Sequence, residues 1–211
     1  MKYTSIIPGI VLAMFAQLAC AGVYEETLDA VNKGDAPALN QLLKRGVDVN
    51  TVDREGNSLL ILAAKQGSSE SVKALLDARA QVNARNAFGE TALMLSTLKG
   101  HSEVTKQLLT QGAEVNPSDG WTPLMYAAAQ GSVEIARLLL ANGAKVNAVT
   151  NNGFTALMMA AREGHRDVTA LLLASGADPN LKTDAELTAL AAARKQQRQD
   201  IVELLVKAGA Q

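Results

Sequence analysis

The sequence is poor in aromatic residues, in cysteine and in net charge, and each shortage excludes a class of protein. Aromatic residues make up only 3% of the 211 residues, so alanine and leucine must fill the core through many small contacts rather than a few large rings. The 20 basic and 21 acidic residues are interspersed and give a formal charge of −1. Without a basic stripe to neutralise phosphates, the chain is not expected to bind nucleic acid.

Residues that carry chemistry are also scarce. The chain has one cysteine, Cys20, and two histidines, His101 and His165. Its sequence contains no nucleophile elbow, no phosphate-binding glycine loop and no motif of paired acids. We therefore expect a protein that is not an enzyme and that has no catalytic, cofactor-binding or metal-binding residues.

The N-terminus differs from the rest of the chain. Lys2 precedes an apolar run over residues 6–19, and the small residues at 19–21 are typical of a signal-peptide cleavage site. The run is shorter than the about 20 residues that a membrane-spanning helix needs. We predict a signal peptide at residues 1–21. Its removal would leave a periplasmic or secreted protein that has no membrane insertion and no disulfide bond.

A lipoprotein signal is the alternative interpretation, since such a signal also ends in small residues before a cysteine that is lipidated. Cys20 would then anchor the protein to a membrane. Gln17 and Leu18 stand where such signals usually carry an aliphatic and a small residue. Simple cleavage is therefore the favoured interpretation.

A segment that repeats about every 33 residues from Val23 onward dominates the rest of the chain. In the best example, Thr155 is followed nine and twenty-one residues later by Gly164 and Gly176. Thr is a good helix N-cap, and a glycine in the left-handed conformation ends a helix. Each unit is therefore predicted to form a helix, a turn, a second helix and a protruding loop. The capping position is occupied by Glu25 in a degenerate first unit and then by Ser58, Thr91, Thr122, Thr155 and Thr188.

A fixed period of this length indicates a solenoid, in which each unit buries its apolar face only against its neighbours. We predict six units, of which the first and last are atypical because they cap the stack. They are an N-terminal capping unit at 22–52, repeats at 53–85, 86–117, 118–149 and 150–182, and a C-terminal capping unit at 183–211.

The fourth unit carries a family resemblance. Gly120-Trp121-Thr122-Pro123-Leu124, Ala127-Ala128, Gly131 and Asn142-Gly143-Ala144 resemble the ankyrin-repeat unit almost throughout. The chain is therefore identified as a member of the ankyrin-repeat family from about Tyr24 to Ala210. This resemblance implies an all-α solenoid of stacked helix-turn-helix units with protruding β-hairpin-like loops. It also implies a concave face, formed by the loop tips and the exposed side of the first helix of each unit, that binds other proteins.

Three residues replace glycines of the repeat. Arg79 stands at the third glycine of the second unit, while Glu186 and Gln197 stand at the first and second glycines of the last unit. A side chain in the left-handed conformation costs about 1–2 kcal/mol. We therefore expect the turn at Arg79 to be a weak point of the fold.

Several residues that recur in register are interpreted as structural. The two histidines lie two units apart, roughly 20 Å at about 8–10 Å per unit, which is too far for one metal ion. Met94, Met125 and Met158 could suit Cu(I) but are separated in the same way, so we expect them in the core. We expect a recurring asparagine to hold each loop against its helices. These asparagines are Asn50, Asn83, Asn116, Asn147 and Asn180.

The concave face is where we predict protein binding. Aromatic side chains are favoured in interfaces, and Phe88, Trp121 and Phe154 occupy loop positions that do not require them. Trp121 adjoins a loop that is two residues shorter than the others, so we predict a notch there that accepts a side chain of the partner. For Phe154, packing against a neighbouring loop is the alternative. The predicted binding residues are Arg54, Asn57, Phe88, Glu90, Lys99, Trp121, Asn152, Phe154, Arg162 and Leu187.

The expected function is that of an exported, monomeric module that binds a protein partner in the periplasm. Small exported ankyrin proteins, which the chain resembles, protect or inhibit a co-located enzyme, and the sequence does not identify the target. One alternative is an immunity or inhibitor protein that blocks a toxic enzyme with nanomolar, salt-sensitive, one-to-one binding. A second alternative is a scaffold that is lipid-anchored through Cys20.

Overall fold

The computed structural model describes residues 22–118 and 120–211. The predicted signal peptide with Cys20 lies outside these residues. Within the described part, the helices form six successive pairs, and none is long and apolar enough to cross a membrane. The helices are α1 (22–32), α2 (Ala36–Lys44), α3 (Leu59–Gln66), α4 (Ser69–Asp77), α5 (Ala92–Leu98), α6 (Ser102–Thr110), α7 (Pro123–Gln130), α8 (Val133–Ala141), α9 (Ala156–Glu163), α10 (Arg166–Ala174), α11 (Ala189–Lys195) and α12 (Gln199–Lys207).

The helices stack in two layers. From α3 to α11 each odd-numbered helix packs on the next, and from α2 to α12 each even-numbered helix packs on the next. The odd-numbered helices are in closer contact with one another, because small alanines lie between them. We call the odd-numbered helices the inner layer and the even-numbered helices the outer layer. The all-α solenoid is therefore confirmed.

The predicted helix caps are present from the second unit onward, whereas Glu25 of the first unit lies inside α1 and does not cap it. The hydroxyl of Thr155 accepts a hydrogen bond from the amide of Met158 at 3.2 Å, and α9 ends at Gly164 in the left-handed conformation. This pairing of an N-cap hydroxyl with the third amide of the helix satisfies one of the otherwise unpaired N–H groups. The same bond starts every inner helix from α3 onward, at Ser58, Thr91, Thr122, Thr155 and Thr188.

Three non-glycine residues keep the backbone conformation of the glycines that they replace. Arg79, Glu186 and Gln197 have φ angles of 66°, 60° and 57°. The turn type therefore does not change where the glycine is lost, and each side chain carries the steric cost of the left-handed region. The left-handed conformation expected at Arg79 is present, and the weak point there stays a prediction.

Replacing Arg79 by glycine is expected to raise the free energy of unfolding by about 1 kcal/mol. Glycine removes the steric strain between Cβ and the backbone at positive φ. This stabilisation exceeds the entropic cost of ordering glycine, which is more flexible than arginine in the unfolded chain. Urea denaturation measures the change. The matched control is Arg137→Gly, inside α8, which should lower the free energy of unfolding by about 1 kcal/mol. Destabilisation by both substitutions would contradict the prediction.

The core contains the residues that were expected there. Met94, Met125 and Met158 are buried between inner helices, which agrees with their interpretation as core residues. Ala191 occupies the same position in the last unit but is exposed, because no seventh inner helix covers it in the described chain. Burial at this position is therefore set by the presence of a neighbouring unit.

The recurring asparagines join consecutive units, which corrects the prediction that each holds its loop against its own helices. The Asn147 side chain donates to the carbonyl of Gly176 at 3.1 Å and accepts from the amide of Asp178 at 2.9 Å. Both groups belong to the turn that ends the next outer helix. An amide side chain suits this position because it offers one donor and one acceptor to an exposed backbone turn. Asn83, Asn116 and Asn180 form the same two bonds, and Asn50 accepts from Gln81.

Candidate protein-binding surface

The full-length loops are narrow hairpins that are closed by their own backbone. In the second unit the Asp53 amide donates to the Asn57 carbonyl at 2.9 Å. Among the described residues, one isolated antiparallel bridge, between Val52 and Ser58, is present. The predicted hairpin-like loops are therefore confirmed. Equivalent bonds close the other full-length loops, from Asn86 to Glu90, from Thr150 to Phe154 and from Thr183 to Leu187.

A polar side chain at the first position of each full-length hairpin accepts a hydrogen bond from one or two backbone amides of the same hairpin, and we call this residue the clasp residue. Asn86 is the clasp residue of the third unit, and its Oδ1 accepts from the amides of Phe88 and Glu90 at 3.0 and 2.9 Å. A side chain that accepts from its own tip orders the loop before any partner arrives. The other clasp residues are Asp53, Thr150 and Thr183.

Asp53 shows the electrostatic consequence of this arrangement. Burial alone would raise the pKa of its carboxyl group. The hydrogen bonds from the Asn57 side chain and from the amides of Asn57 and Glu55, together with the positive charge of Lys65, lower the pKa below its usual value. Asp53 therefore stays ionised and keeps accepting these bonds at mildly acidic pH.

Neighbouring hairpins are joined to each other at both ends of the solenoid. The Ala87 amide donates to the Glu55 carbonyl at 3.1 Å, which links the second and third units. The Asp184 amide donates to the Asn152 carbonyl at 3.2 Å, which links the fifth and sixth units. The shortened loop of the fourth unit lies between these two linked pairs. It contains residue 119, which the structure does not describe.

Trp121 follows the shortened loop and packs on Tyr126. Their ring centroids are 5.2 Å apart and their planes are inclined by 39°. Both rings are half-buried. Burial raises the pKa of Tyr126, and the negative charge of Glu90 raises it further. The centre of the face is therefore an aromatic pair whose tyrosine experiences the negative charge of Glu90.

Most predicted binding residues are accessible to a partner. Phe88 is 73% exposed, which is unusual for a large apolar side chain. Arg54, Lys99 and Asn152 are also exposed, and the half-buried members are Glu90, Trp121, Phe154, Arg162 and Leu187. Phe154 and Trp121 both pack partly against the buried core.

Asn57 is the exception, and its prediction as an exposed binding residue must be corrected. Only 3% of its surface is exposed. Its side chain donates to Asp53 at 2.8 Å and accepts from Asn86 at 2.8 Å. Its place in the loop of the repeat suggested a surface position, but its hydrogen bonds within and between the hairpins bury it.

Tyr126 was missed by the sequence analysis. It lies inside an inner helix, where the equivalent residues are the apolar Leu62, Leu95, Met159 and Ala192. An aromatic residue with a hydroxyl at a position that is otherwise apolar was the available signal. The contact with Trp121, five residues earlier, required the structure because it depends on how the shortened loop enters α7.

The two histidines have a structural role, as predicted. His165 Nε2 lies 2.9 Å from the carbonyl oxygen of Ala129, and His101 Nε2 lies 3.2 Å from that of Lys65. Because a carbonyl oxygen only accepts, each Nε2 acts as the donor. Each histidine therefore caps the C-terminal end of the inner helix of the preceding unit, α3 for His101 and α7 for His165. Among residues 22–118 and 120–211, no group of three His, Cys, Asp or Glu side chains is placed to hold a metal ion.

The fold and this face define a helical repeat scaffold that presents side chains from successive loops. A family model described as "Ankyrin repeats (3 copies)" matches residues 28–119, 100–183 and 153–211. The chain belongs to the ankyrin-repeat family. Such repeats are generally modules of protein–protein interaction, and their fold is typically a non-enzymatic scaffold.

Two solved structures are similar over most of the chain. The crystal structure of the human ASB11 ankyrin repeat domain has 29% sequence identity and a TM-score of 0.82, and the match covers 88% of this chain and 84% of that chain. An ankyrin repeat domain from Acinetobacter baumannii AYE has 30% identity and a TM-score of 0.79, and the match covers 88% of this chain and 98% of that chain. The comparison with curated proteins finds no match.

Proposed function

We propose that the protein is an exported binding module that holds a partner protein against its concave face as a monomer. The observation that carries this proposal is the concentration of accessible aromatic residues on one face of a chain that has few of them. Phe88 is exposed, and Trp121, Tyr126 and Phe154 are half-buried in successive units. Aromatic side chains bury a large area at a small entropic cost, which favours them as binding hot spots.

The fixed conformation of the hairpins also supports binding. Clasp residues and bonds between hairpins hold the tips of the second, third, fifth and sixth units in place. A surface that is ordered before association loses less conformational entropy when it binds. The concave face is therefore suited to recognise one partner of defined shape.

The sequence pattern of residues 1–21 supports export to the periplasm, where the module would protect or regulate a co-located enzyme. Mass spectrometry of the purified native protein tests this part of the proposal. A mature N-terminus at Gly22 is expected from signal-peptide cleavage. An acylated Cys20 at the N-terminus would instead show that the protein is a lipid-anchored scaffold. An uncleaved chain would exclude export through this signal.

Replacing Trp121 by alanine is expected to weaken binding of the partner about thirtyfold or more, because hot-spot aromatic residues contribute at least about 2 kcal/mol. The immobilised protein would capture the partner from a periplasmic extract of the native host, and calorimetry would give both affinities. The matched control is Lys106→Ala on α6, in the outer layer, which should bind as the wild type does. If the affinity is unchanged in Trp121→Ala but binding is lost in Lys106→Ala, the partner binds the outer layer and not the concave face.

A further inference from the structure

Three consecutive units carry an acidic or aromatic side chain at the same position of the repeat. Glu90, Trp121 and Phe154 each precede the capping threonine of their unit. Because successive inner helices pack at about 8–10 Å, these side chains form a row with about that spacing along the concave face. The row contains one carboxylate and two aromatic rings. The equivalent residue of the second unit, Asn57, is buried, and that of the last unit is Leu187.

The carboxylate of Glu90 is held in place by its own hairpin. Its Oε2 accepts from the Asn86 side chain at 2.9 Å, and its amide donates to the same side chain. The bond from a neutral amide orients the carboxylate without neutralising its charge. Glu90 is not among the ion pairs formed within residues 22–118 and 120–211. Glu90 and Trp121 occupy neighbouring places in the row, and the charge of Glu90 adds to burial in raising the pKa of Tyr126.

We infer that this row accepts an arginine side chain of the partner, with its guanidinium group stacked on the Trp121–Tyr126 pair and paired with Glu90. The inference rests on the proposed function and names the chemistry of its central contact. A cation binds an aromatic face within about 6 Å of the ring centroid, and an ion pair spans about 4 Å. A guanidinium group between Trp121 and Glu90 can therefore make both contacts, because the sum of the two distances is about the spacing between neighbouring units. A planar guanidinium group suits both contacts, since it stacks on rings and pairs with carboxylates in a fixed geometry.

An acidic side chain of the partner is the competing occupant, because Lys65, Lys99 and Arg162 also border the concave face. These residues lie at the C-terminal ends of the inner helices, where the helix dipole favours a positive charge. Glu90 and Trp121 precede the N-terminal ends of their helices, and Tyr126 lies inside α7, about one helical turn before the register of these cations. Arg162 is also paired with Glu163 at 2.8 Å. Glu90 is the neighbour of Trp121 in the row, and its negative charge favours a cationic occupant there.

Trp121 offers a specific test because it is the only tryptophan in the chain. Its indole N–H resonance is followed in protein that is titrated with N-acetyl-arginine amide, N-acetyl-citrulline amide and N-acetyl-glutamate amide. Citrulline has the shape of arginine without its charge. We expect arginine amide to bind about three- to tenfold more tightly than citrulline amide, and glutamate amide to cause no saturable shift.

Two substitutions test the role of Glu90. Glu90→Gln removes the charge but keeps an oxygen that can accept from Asn86, and it should abolish the preference for arginine over citrulline. Glu55→Gln is the matched control, because Glu55 also accepts from an asparagine side chain in its hairpin, at 3.2 Å. It lies in the second unit, away from the aromatic pair, and should keep the preference.

Equal binding of arginine and citrulline amides, tighter binding of glutamate amide, the absence of any saturable shift, or an unchanged preference in Glu90→Gln would each overturn the inference. Loss of the preference in Glu55→Gln would overturn it as well, since the effect would then not be local. None of these results concerns the proposed function, which fails only if a captured partner does not depend on the concave face.

Discussion

Replacing Gly131 by alanine is expected to lower the free energy of unfolding by about 2–5 kcal/mol. Gly131 ends α7 with a φ of 72°, where any side chain costs about 1–2 kcal/mol. A Cβ atom at this position would also lie 2.5 Å from Nδ1 of His165, and overpacking of this kind costs about 1–3 kcal/mol. The histidine ring cannot move away freely, because its Nε2 is bonded to the Ala129 carbonyl. Chemical denaturation measures the loss.

Gly100→Ala is the matched control for this prediction. Gly100 has an equivalent place in its unit and a φ of 77°, yet a Cβ atom there would meet no atom within 4 Å. The next unit has Ser132 where others have His101 and His165. Gly100→Ala should therefore cost only about 1–2 kcal/mol, from backbone strain. Equal losses for the two glycines would refute a role for the histidine ring.

A double-mutant cycle separates strain from collision. In the His165→Ala background, the loss caused by Gly131→Ala should fall to about that of Gly100→Ala, because the ring that collides with Cβ is absent. Additive losses in the double variant would show that the histidine relaxes without cost. The cycle therefore measures how firmly one unit is held against the next.

Replacing Asn86 by alanine is the second change with a large expected effect, a loss of about 2–4 kcal/mol in the free energy of unfolding. Asn86 accepts from the amides of Phe88 and Glu90 and donates to Asn57 at 2.8 Å and to Glu90 at 2.9 Å. Alanine leaves a buried acceptor on Asn57 without this donor, and each lost hydrogen bond costs about 0.5–1.5 kcal/mol, or more for a buried group. Thermal and urea denaturation both measure the change.

Thr150→Val is the control for Asn86→Ala. Thr150 is the clasp residue of the fifth unit, and its hydroxyl accepts from the Phe154 amide at 3.0 Å and donates to the exposed Asn152 side chain at 2.6 Å. Valine keeps its volume, so the loss should be about 1 kcal/mol. A loss from Thr150→Val as large as that from Asn86→Ala would mean that the link to Asn57 contributes little.

Asn86→Ala should also affect binding, because Asn86 orders two residues of the concave face. Without it, Phe88 and Glu90 lose the acceptor that fixes their backbone, and binding must then order the hairpin. We therefore expect the partner to bind more weakly to Asn86→Ala than to Thr150→Val when both are folded. Stability and recognition are thus linked through one side chain.

Local structure could be predicted from the sequence because it depends on neighbours along the chain. The threonine caps, the glycine turns and the left-handed conformation of Arg79 all follow from interactions within a few residues. The repetition of these signals then indicated the solenoid, since one unit cannot bury its own apolar face. The exposed position of Phe88 could be predicted for the same reason, because the loop register determined it.

Contacts between units could not be predicted in the same way. The asparagines join turns about 30 residues away, Asn57 is buried by Asn86 of the next hairpin, and Tyr126 meets Trp121 beside a shortened loop. Each depends on how far neighbouring units are shifted and rotated, and the packing of whole helices sets those quantities.

The sequence by itself therefore determined the repeating unit, its caps and its membership of a stack, because these are local and recur in register. Only the tertiary structure decided which polar side chains are exposed on the concave face and which are used to join hairpins. It also decided that Tyr126 packs on Trp121. The physical reason is that hydrogen bonds between units and charges across them depend on distances that no single unit encodes.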